Sequence, residues 1–255
     1  MDYGLDGKVA IVTGTASQIG IGKAVCLTLA KEGCNIVSAD IDLEGAKLTA
    51  MEVIALGRKA IAIKVDVANS SEVDKMTDTA LKAFGKIDIL VNVAGLNAGH
   101  GEPFMESNQK TWEQDMAINV YGTMNCAKAV IPPMVEYKYG KIINFSSIVA
   151  KLGYVGSYPA AKAAVLAFTR GLATQYGPFG INVNAIAPGV VKTKFAAVMS
   201  EESANQMFED FAAKAPMRRI QTVEDMANTA AFLASDVSRN ITGQCIQVNG
   251  GMVML

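Results

Sequence analysis

The chain has one histidine, one tryptophan and four cysteines in 255 residues. His100 has no second imidazole with which to share a metal. It sits between Gly99 and Gly101, with no partner motif for Ser/His/Asp catalysis nearby. Cys26, Cys34, Cys126 and Cys245 are widely spaced and form no CxxC, so they read as reduced, small apolar residues. An excess of positive charge is also missing. Lys plus Arg total 23 against 24 for Asp plus Glu, which argues against a general basic field for nucleic acid. No apolar run approaches the roughly 18 residues that suggest a membrane span. The segment Met1–Lys8 lacks the basic-then-apolar pattern of a signal peptide. The expectation is a cytoplasmic protein with a small-molecule substrate, no metal, and neither a nucleic-acid nor a membrane partner. With no internal repeat, low-complexity tract or linker, residues 1–255 read as one domain.

What is present is apolar material in alternating periods. Half of the chain is hydrophobic (51%), enough for one substantial core. Val9–Thr13 is a short continuous apolar run, as in a strand buried on both faces. Gly14 follows, then Gly20-Ile21-Gly22, then residues 23–30 at helical spacing. Glycines between a strand and a helix allow a tight turn and close backbone approach, and a helix N-terminus offers free N–H groups to a pyrophosphate. Asn35–Ala39 reads as the second strand and ends in Asp40, 20 residues after Gly20, where a carboxylate would bind ribose hydroxyls. The alternative role for Asp40, capping the next helix, can be filled by Asp42.

The alternation continues with a helix over 42–56, a strand over 60–65 ending in Asp66-Val67, and a helix to about Phe84. Ser71 and Asp74 fit a capping box at the start of that helix. Ile87–Val91 is the fourth strand and leads to Asn92-Val93-Ala94-Gly95. A long helical pattern covers Asn108–Val135, interrupted near Pro132-Pro133, with Asn119 inside it. Lys141–Phe145 is a strand leading to Ser146-Ser147, and Ile181–Ile186 is a strand leading to Pro188-Gly189. This order predicts an α/β Rossmann fold, a doubly wound parallel sheet covered on both faces. Ligands of such sheets bind beyond the carboxyl ends of the strands, and Gly14, Asp40, Asp66, Asn92, Ser147 and Pro188 all follow strand ends.

Between the last two strands lies Ser157-Tyr158-Pro159-Ala160-Ala161-Lys162. Positions i and i+4 share a helix face, so Tyr158 and Lys162 point into one site. A phenol with a pKa of about 10 is a poor base at neutral pH; a nearby ammonium would lower that value and make a general acid/base. Taken alone, a Tyr and a Lys one turn apart are common.

With these motifs in this order, the chain resembles the short-chain dehydrogenase/reductase family along nearly its whole length. The resemblance rests on Thr13-Gly14…Gly20-Ile21-Gly22, Asn92-Val93-Ala94-Gly95, Asn119, Ser147, Tyr158-xxx-Lys162, Pro188-Gly189…Thr193, Ile241-Thr242-Gly243 and Val248-Asn249-Gly250-Gly251. It implies that Tyr158 exchanges the proton with the substrate oxygen. Lys162 would lower the tyrosine pKa and hold the nicotinamide ribose, Ser147 would hydrogen-bond the substrate oxygen, and Asn119 would hold a water of a proton relay. Asp66 and Val67 would flank the adenine, Asn92, Ala94 and Gly95 would border the cofactor, and Val191 and Thr193 would hold its carboxamide and phosphate side. Asp40, with Ile41 beside it and no Arg or Lys between Gly14 and Gly20, implies NAD rather than NADP.

Three features depart from the family pattern. Five residues separate Gly14 from Gly20, so either Gln18 replaces the middle glycine or, as we prefer, two residues are inserted. Enoyl-thioester reductases of the family tolerate a long spacing but place Tyr and Lys seven apart, and Val155 stands seven before Lys162, which disfavours that activity. Ser147 lies 11 residues before Tyr158, about two fewer than usual, leaving Ser146 as a substitute. Asn249 replaces a more familiar Asp, at a position that reads as structural.

Residues 192–217 are amphipathic, with Phe195, Met199, Met207, Phe208 and Phe211, and correspond to the family's substrate lid. Leu96, Asn97, Tyr154, Val190 and Phe195 are expected to line an apolar pocket. The expected reaction is hydride transfer between NAD(H) and a hydrophobic or cyclic secondary alcohol or ketone. The alternative is reduction of a 3-oxoacyl thioester, with Lys192, Lys194, Arg218 and Arg219 meeting an acidic carrier or coenzyme A. A non-catalytic NAD sensor comes last, because sensing needs no Ser147, Tyr158, Lys162 or Asn119. By resemblance, the long helices would pair between subunits of a homotetramer.

Overall fold

The computed structural model describes residues 2–99, 102–193 and 201–254. Seven strands form one sheet in the order β3-β2-β1-β4-β5-β6-β7. They are β1 (Val9–Thr13), β2 (Asn35–Asp40), β3 (Ala60–Lys64), β4 (Ile89–Asn92), β5 (Gly140–Phe145), β6 (Ile181–Pro188) and β7 (Cys245–Val248), and every pairing is parallel. The central strands β1, β4 and β5 are buried throughout because helices cover both faces. One face carries α1 (Ile21–Lys31) and α8 (Val223–Ala234), with Val25, Leu29, Ala230 and Leu233 in its core. The other carries α3 (Ser70–Phe84), α5 (Gly122–Tyr137) and α6 (Ser157–Tyr176), through Val73, Met76, Val130, Met134 and Leu172. The expected doubly wound Rossmann architecture is therefore what the chain forms. Strand order reverses between β1 and β4, so the chain leaving these two strands opens the crevice in which such folds bind ligands.

Several local readings are corrected. Asn69, not Ser71, caps α3, accepting N–H bonds from Ser71 and Glu72 and donating to Glu72 Oε1. Pro132 and Pro133 do not interrupt their helix; both lie inside α5. Pro132 and Lys128, whose carbonyl loses its partner, are exposed on the solvent side, where water can replace the missing N–H. The actual irregularity is a π-helical turn, Ala117–Tyr121, between α4 (Gln109–Met116) and α5, and it contains Asn119. Helix α8 and strand β7 went unassigned from the sequence. For α8 the signal was there: Thr222 and Asp225 form a reciprocal capping box.

Cys26, Cys34 and Cys126 are buried and unpaired, and burial pushes their thiols up, as expected of small apolar residues. Among the described residues no helix is long and apolar enough to cross a membrane. Asn249 is buried and structural, donating to Val253 O and accepting from Gly251 N.

Candidate active site

The glycine loop is built to keep side chains out. Gly14 has φ +75°, and a Cβ there would stand 2.8 Å from the Ala94 nitrogen. A Cβ on Gly22 would stand 2.1 Å from the Gly14 carbonyl oxygen, so α1 meets the loop backbone to backbone. Thr13 Oγ1 accepts the N–H groups of Val93 and Ala94 at 3.2 Å, tying the two strand ends together. Gly20 precedes α1 without a side-chain cap, which leaves N–H groups of the first turn for a ligand. The geometry matches the insertion reading. Gln18 does not replace a glycine: its amide donates to Ala16 O and Gly45 O, pinning the loop onto α2 (Leu43–Ala55). Ser17 Oγ is buried there with no hydrogen-bond partner among the described residues. A Cβ-free cradle, free helix N–H groups and this orphaned hydroxyl fit the pyrophosphate of a dinucleotide.

Asp42 caps α2, which frees Asp40 from that role. The Asp40 carboxylate accepts from Ala16 N at 2.8 Å and Asp42 N at 3.0 Å and stays part-exposed at the end of β2. Asp66 accepts from Ala68 N at 2.9 Å. Two expected cofactor contacts turn elsewhere. The Val67 side chain is buried in the core against Gly122. The Asn92 amide donates to Asn144 Oδ1 at 3.0 Å, and Asn144 in turn donates to Thr169 on α6.

Beyond the ends of β4, β5 and β6 lies a cleft of about 770 Å³. Ile21, Gly95, Ser147, Tyr158, Lys162, Pro188, Gly189, Val191 and Thr193 line it together, as do Asn97, Tyr154 and Val190 of the expected substrate pocket. Leu96 is not on its wall, because its backbone is clamped by Asn119. Phe195, Lys194, Met199 and His100 lie outside the described residues. From α7 (Glu201–Lys214), Met207, Phe208 and Phe211 face the cleft; of the lid expected at 192–217, residues 194–200 lie outside the described residues. Glu102, Phe104, Val149, Leu152 and Met252 also line it and were not foreseen.

The two serines separate cleanly. Ser146 is buried, and its hydroxyl donates to Lys162 O at 2.8 Å, a bond that anchors β5 to α6. Ser147 lines the cleft and hydrogen-bonds the Tyr158 side chain. The Lys162 ammonium is buried, donates to Phe145 O at 2.9 Å, and lies 5.6 Å from the Tyr158 ring centre. A Cβ on Gly95 would stand 3.2 Å from this ammonium.

The expectation that Lys162 lowers the tyrosine pKa is corrected. Burial pushes the Tyr158 hydroxyl up to about 12, with the Ser147 hydrogen bond acting the other way and the Asp115 charge adding to the rise. Burial also brings Lys162 down to about 8, opposed by Asp115. Desolvation is the largest cause for both groups. The site therefore holds a neutral phenol, a proton donor, beside a hydroxyl and an ammonium.

Asn119 does not point freely into a water relay. Its amide donates to Leu96 O at 2.7 Å and Asp115 O at 2.9 Å, and its oxygen accepts from Leu96 N at 3.3 Å. Asp115 itself was missed from the sequence. Its only signal there is its place four residues before Asn119, on the same helix face.

The family model described as enoyl-(acyl carrier protein) reductase matches residues 14–253. The 3-oxoacyl-[acyl-carrier-protein] reductase FabG of Staphylococcus epidermidis is 38% identical over 250 residues, covering 97% of this chain and 99% of its own. The (2S)-[(R)-hydroxy(phenyl)methyl]succinyl-CoA dehydrogenase subunit BbsD of Thauera aromatica is 39% identical over 251 residues, covering 97% of each. A solved structure described as a short-chain alcohol dehydrogenase from Sinorhizobium meliloti superimposes with a TM-score of 0.91 at 31% identity, covering 99% of this chain and 98% of that one. The chain belongs to the short-chain dehydrogenase/reductase family, and it is an oxidoreductase of that family.

Proposed function

We propose that this chain reduces the oxo group of a 3-oxoacyl thioester with NADH. The carrying observation is that relatives near 38% identity over almost the whole chain are named for acyl thioesters, on acyl carrier protein in one case and coenzyme A in the other. The sequence favours a hydrophobic or cyclic ketone; the relatives reverse that order. The cleft supports the reading, since Val149, Leu152, Phe208 and Met252 give it apolar wall on which an acyl chain could lie. Of the basic residues considered for an acidic carrier, Arg219 is committed to Asp225 at 2.7 and 3.2 Å and Arg218 to Ala213 O, whereas Lys192 is exposed beside Phe208. Enoyl reduction is not proposed, because Val155 stands where that activity needs a tyrosine.

The nicotinamide, when bound, supplies the hydride. The glycine loop and the N-terminus of α1 would hold its pyrophosphate, Asp40 the adenosine ribose, and Val191 with Thr193 the carboxamide side. Ser147 would hold the substrate oxo oxygen by a hydrogen bond, polarising it. Tyr158, a phenol at neutral pH, would deliver its proton to that oxygen as negative charge develops. Lys162 would stabilise the phenolate left behind.

The test compares acetoacetyl-CoA with cyclohexanone as oxidants of NADH, followed by loss of nicotinamide absorbance. A kcat/KM at least about tenfold higher for acetoacetyl-CoA, worth about 1.4 kcal/mol, supports thioester reduction. Preference for cyclohexanone restores the simple-ketone reading, and turnover of neither revives the sensor.

A further inference from the structure

We infer that Asp115 is a positioning residue, whose carboxylate clips the chain after β4 to the first turn of α6 and so fixes where Tyr158 stands in the cleft. This rests on the reading of Tyr158 as proton donor.

Asp115 is 1% exposed, in the last turn of α4. Burying a carboxylate is costly unless strong hydrogen bonds compensate, and an apolar side chain would fill such a site more cheaply. Both of its oxygens are used, and each goes to a different wall of the cleft. Oδ1 accepts the Ala98 N–H at 2.8 Å, between the lining residues Asn97 and Gly99. Oδ2 accepts the Ser157 hydroxyl at 2.6 Å, next to Tyr158. The Asp115 carbonyl meanwhile accepts from Asn119, which holds Leu96 by both ends of its amide. Residues 96–98 are thus fastened twice to one helical turn.

Helix α6 needs this fastening. It begins at Ser157 after Gly156, which has φ +149° and makes no side-chain cap. Tyr158 is the second residue of the helix, within the turn that frays first when uncapped. Asp115 supplies from outside what the sequence omits locally: a bond to the first helical residue and a negative charge at the positive end of the helix dipole. The same charge acts on Tyr158 and Lys162, favouring the protonated form of both.

Two substitutions separate clip from charge. Asp115→Leu removes both bonds. Asp115→Asn keeps an acceptor for Ala98 N–H and offers an amide donor to the Ser157 oxygen. Asp115→Leu should lower kcat on acetoacetyl-CoA by roughly tenfold or more with the KM for NADH little changed, and Asp115→Asn should recover most of that loss. Ser157→Ala should show a smaller drop, recovered by Ser157→Thr; this pair serves if Asp115→Leu does not fold. Amide hydrogen exchange, read without substrate, should quicken at 96–99 and 157–160 in Asp115→Leu and not in Asp115→Asn. If the wild type reduces no thioester, the functional reading fails and the exchange data still judge the clip. A folded Asp115→Leu with wild-type exchange at both segments overturns it, as does an Asp115→Asn variant equally impaired in kcat.

Discussion

Lys162 holds its ammonium 5.6 Å from the centre of the Tyr158 ring, one helical turn away, and the two groups are shifted in opposite directions by the same burial. Lys162 falls to about 8 and Tyr158 rises to about 12. Below about pH 7 the ammonium is fully formed, and it is lost as pH climbs through 8; the phenol stays protonated across that range. The kcat for reduction should therefore fall above about pH 8, and the limb belongs to Lys162. A kcat profile that stays flat well above that value contradicts the assignment.

Ser146 and Ser147 are adjacent yet do different work. Ser147→Ala should cost roughly 10- to 100-fold in kcat, by removing a donor to the substrate oxygen. Ser146→Ala should leave kcat nearly intact and cost about 1 kcal/mol of stability, the usual worth of one internal hydrogen bond such as that to Lys162 O. Urea unfolding and steady-state kinetics on both variants check this; the opposite pattern would exchange their roles.

We propose that Asp40 sets the cofactor preference. A carboxylate accepts hydrogen bonds from ribose hydroxyls and repels a 2′-phosphate; unit charges about 5 Å apart cost roughly 3 kcal/mol at an effective dielectric of 20. The wild type should favour NADH over NADPH by about 100-fold or more in kcat/KM. Asp40→Ala with Ile41→Arg should shrink or reverse the ratio, because an arginine fork suits phosphate. A wild type that prefers NADPH removes Asp40 from this role.

Trp112, Tyr121 and Met124 on α4, the π turn and α5 are exposed by 38%, 58% and 41%. We propose that these exposed apolar side chains belong to a contact face between subunits. A tetrameric mass by light scattering at micromolar concentration is expected, and a monomer contradicts it.

Much of this molecule is legible in its sequence, for identifiable reasons. The run from Val9 to Val12 announces itself because a strand buried on both faces presents a continuous apolar stretch. Gly14 and Gly22 stand out because their turn admits no Cβ, and Tyr158 and Lys162 because helical spacing alone puts them on one face. What stayed hidden depends on distant packing. Asn92 reads as a cofactor contact because its partner, Asn144, is 52 residues away. Asp115 lies in a polar-looking helix, so nothing nearby distinguishes a buried carboxylate from a solvated one. The π turn around Asn119 changes backbone register without changing the apolar pattern. The rise in the Tyr158 pKa comes from burial by segments that only the fold assembles.

The most direct measurement is turnover by Tyr158→Phe with acetoacetyl-CoA and NADH, beside NADH binding followed by fluorescence. The ring is kept and only the proton donor is lost. The kcat should drop on the order of 100-fold or more while NADH affinity stays near normal. Near-wild-type turnover in this variant would contradict the account at its centre.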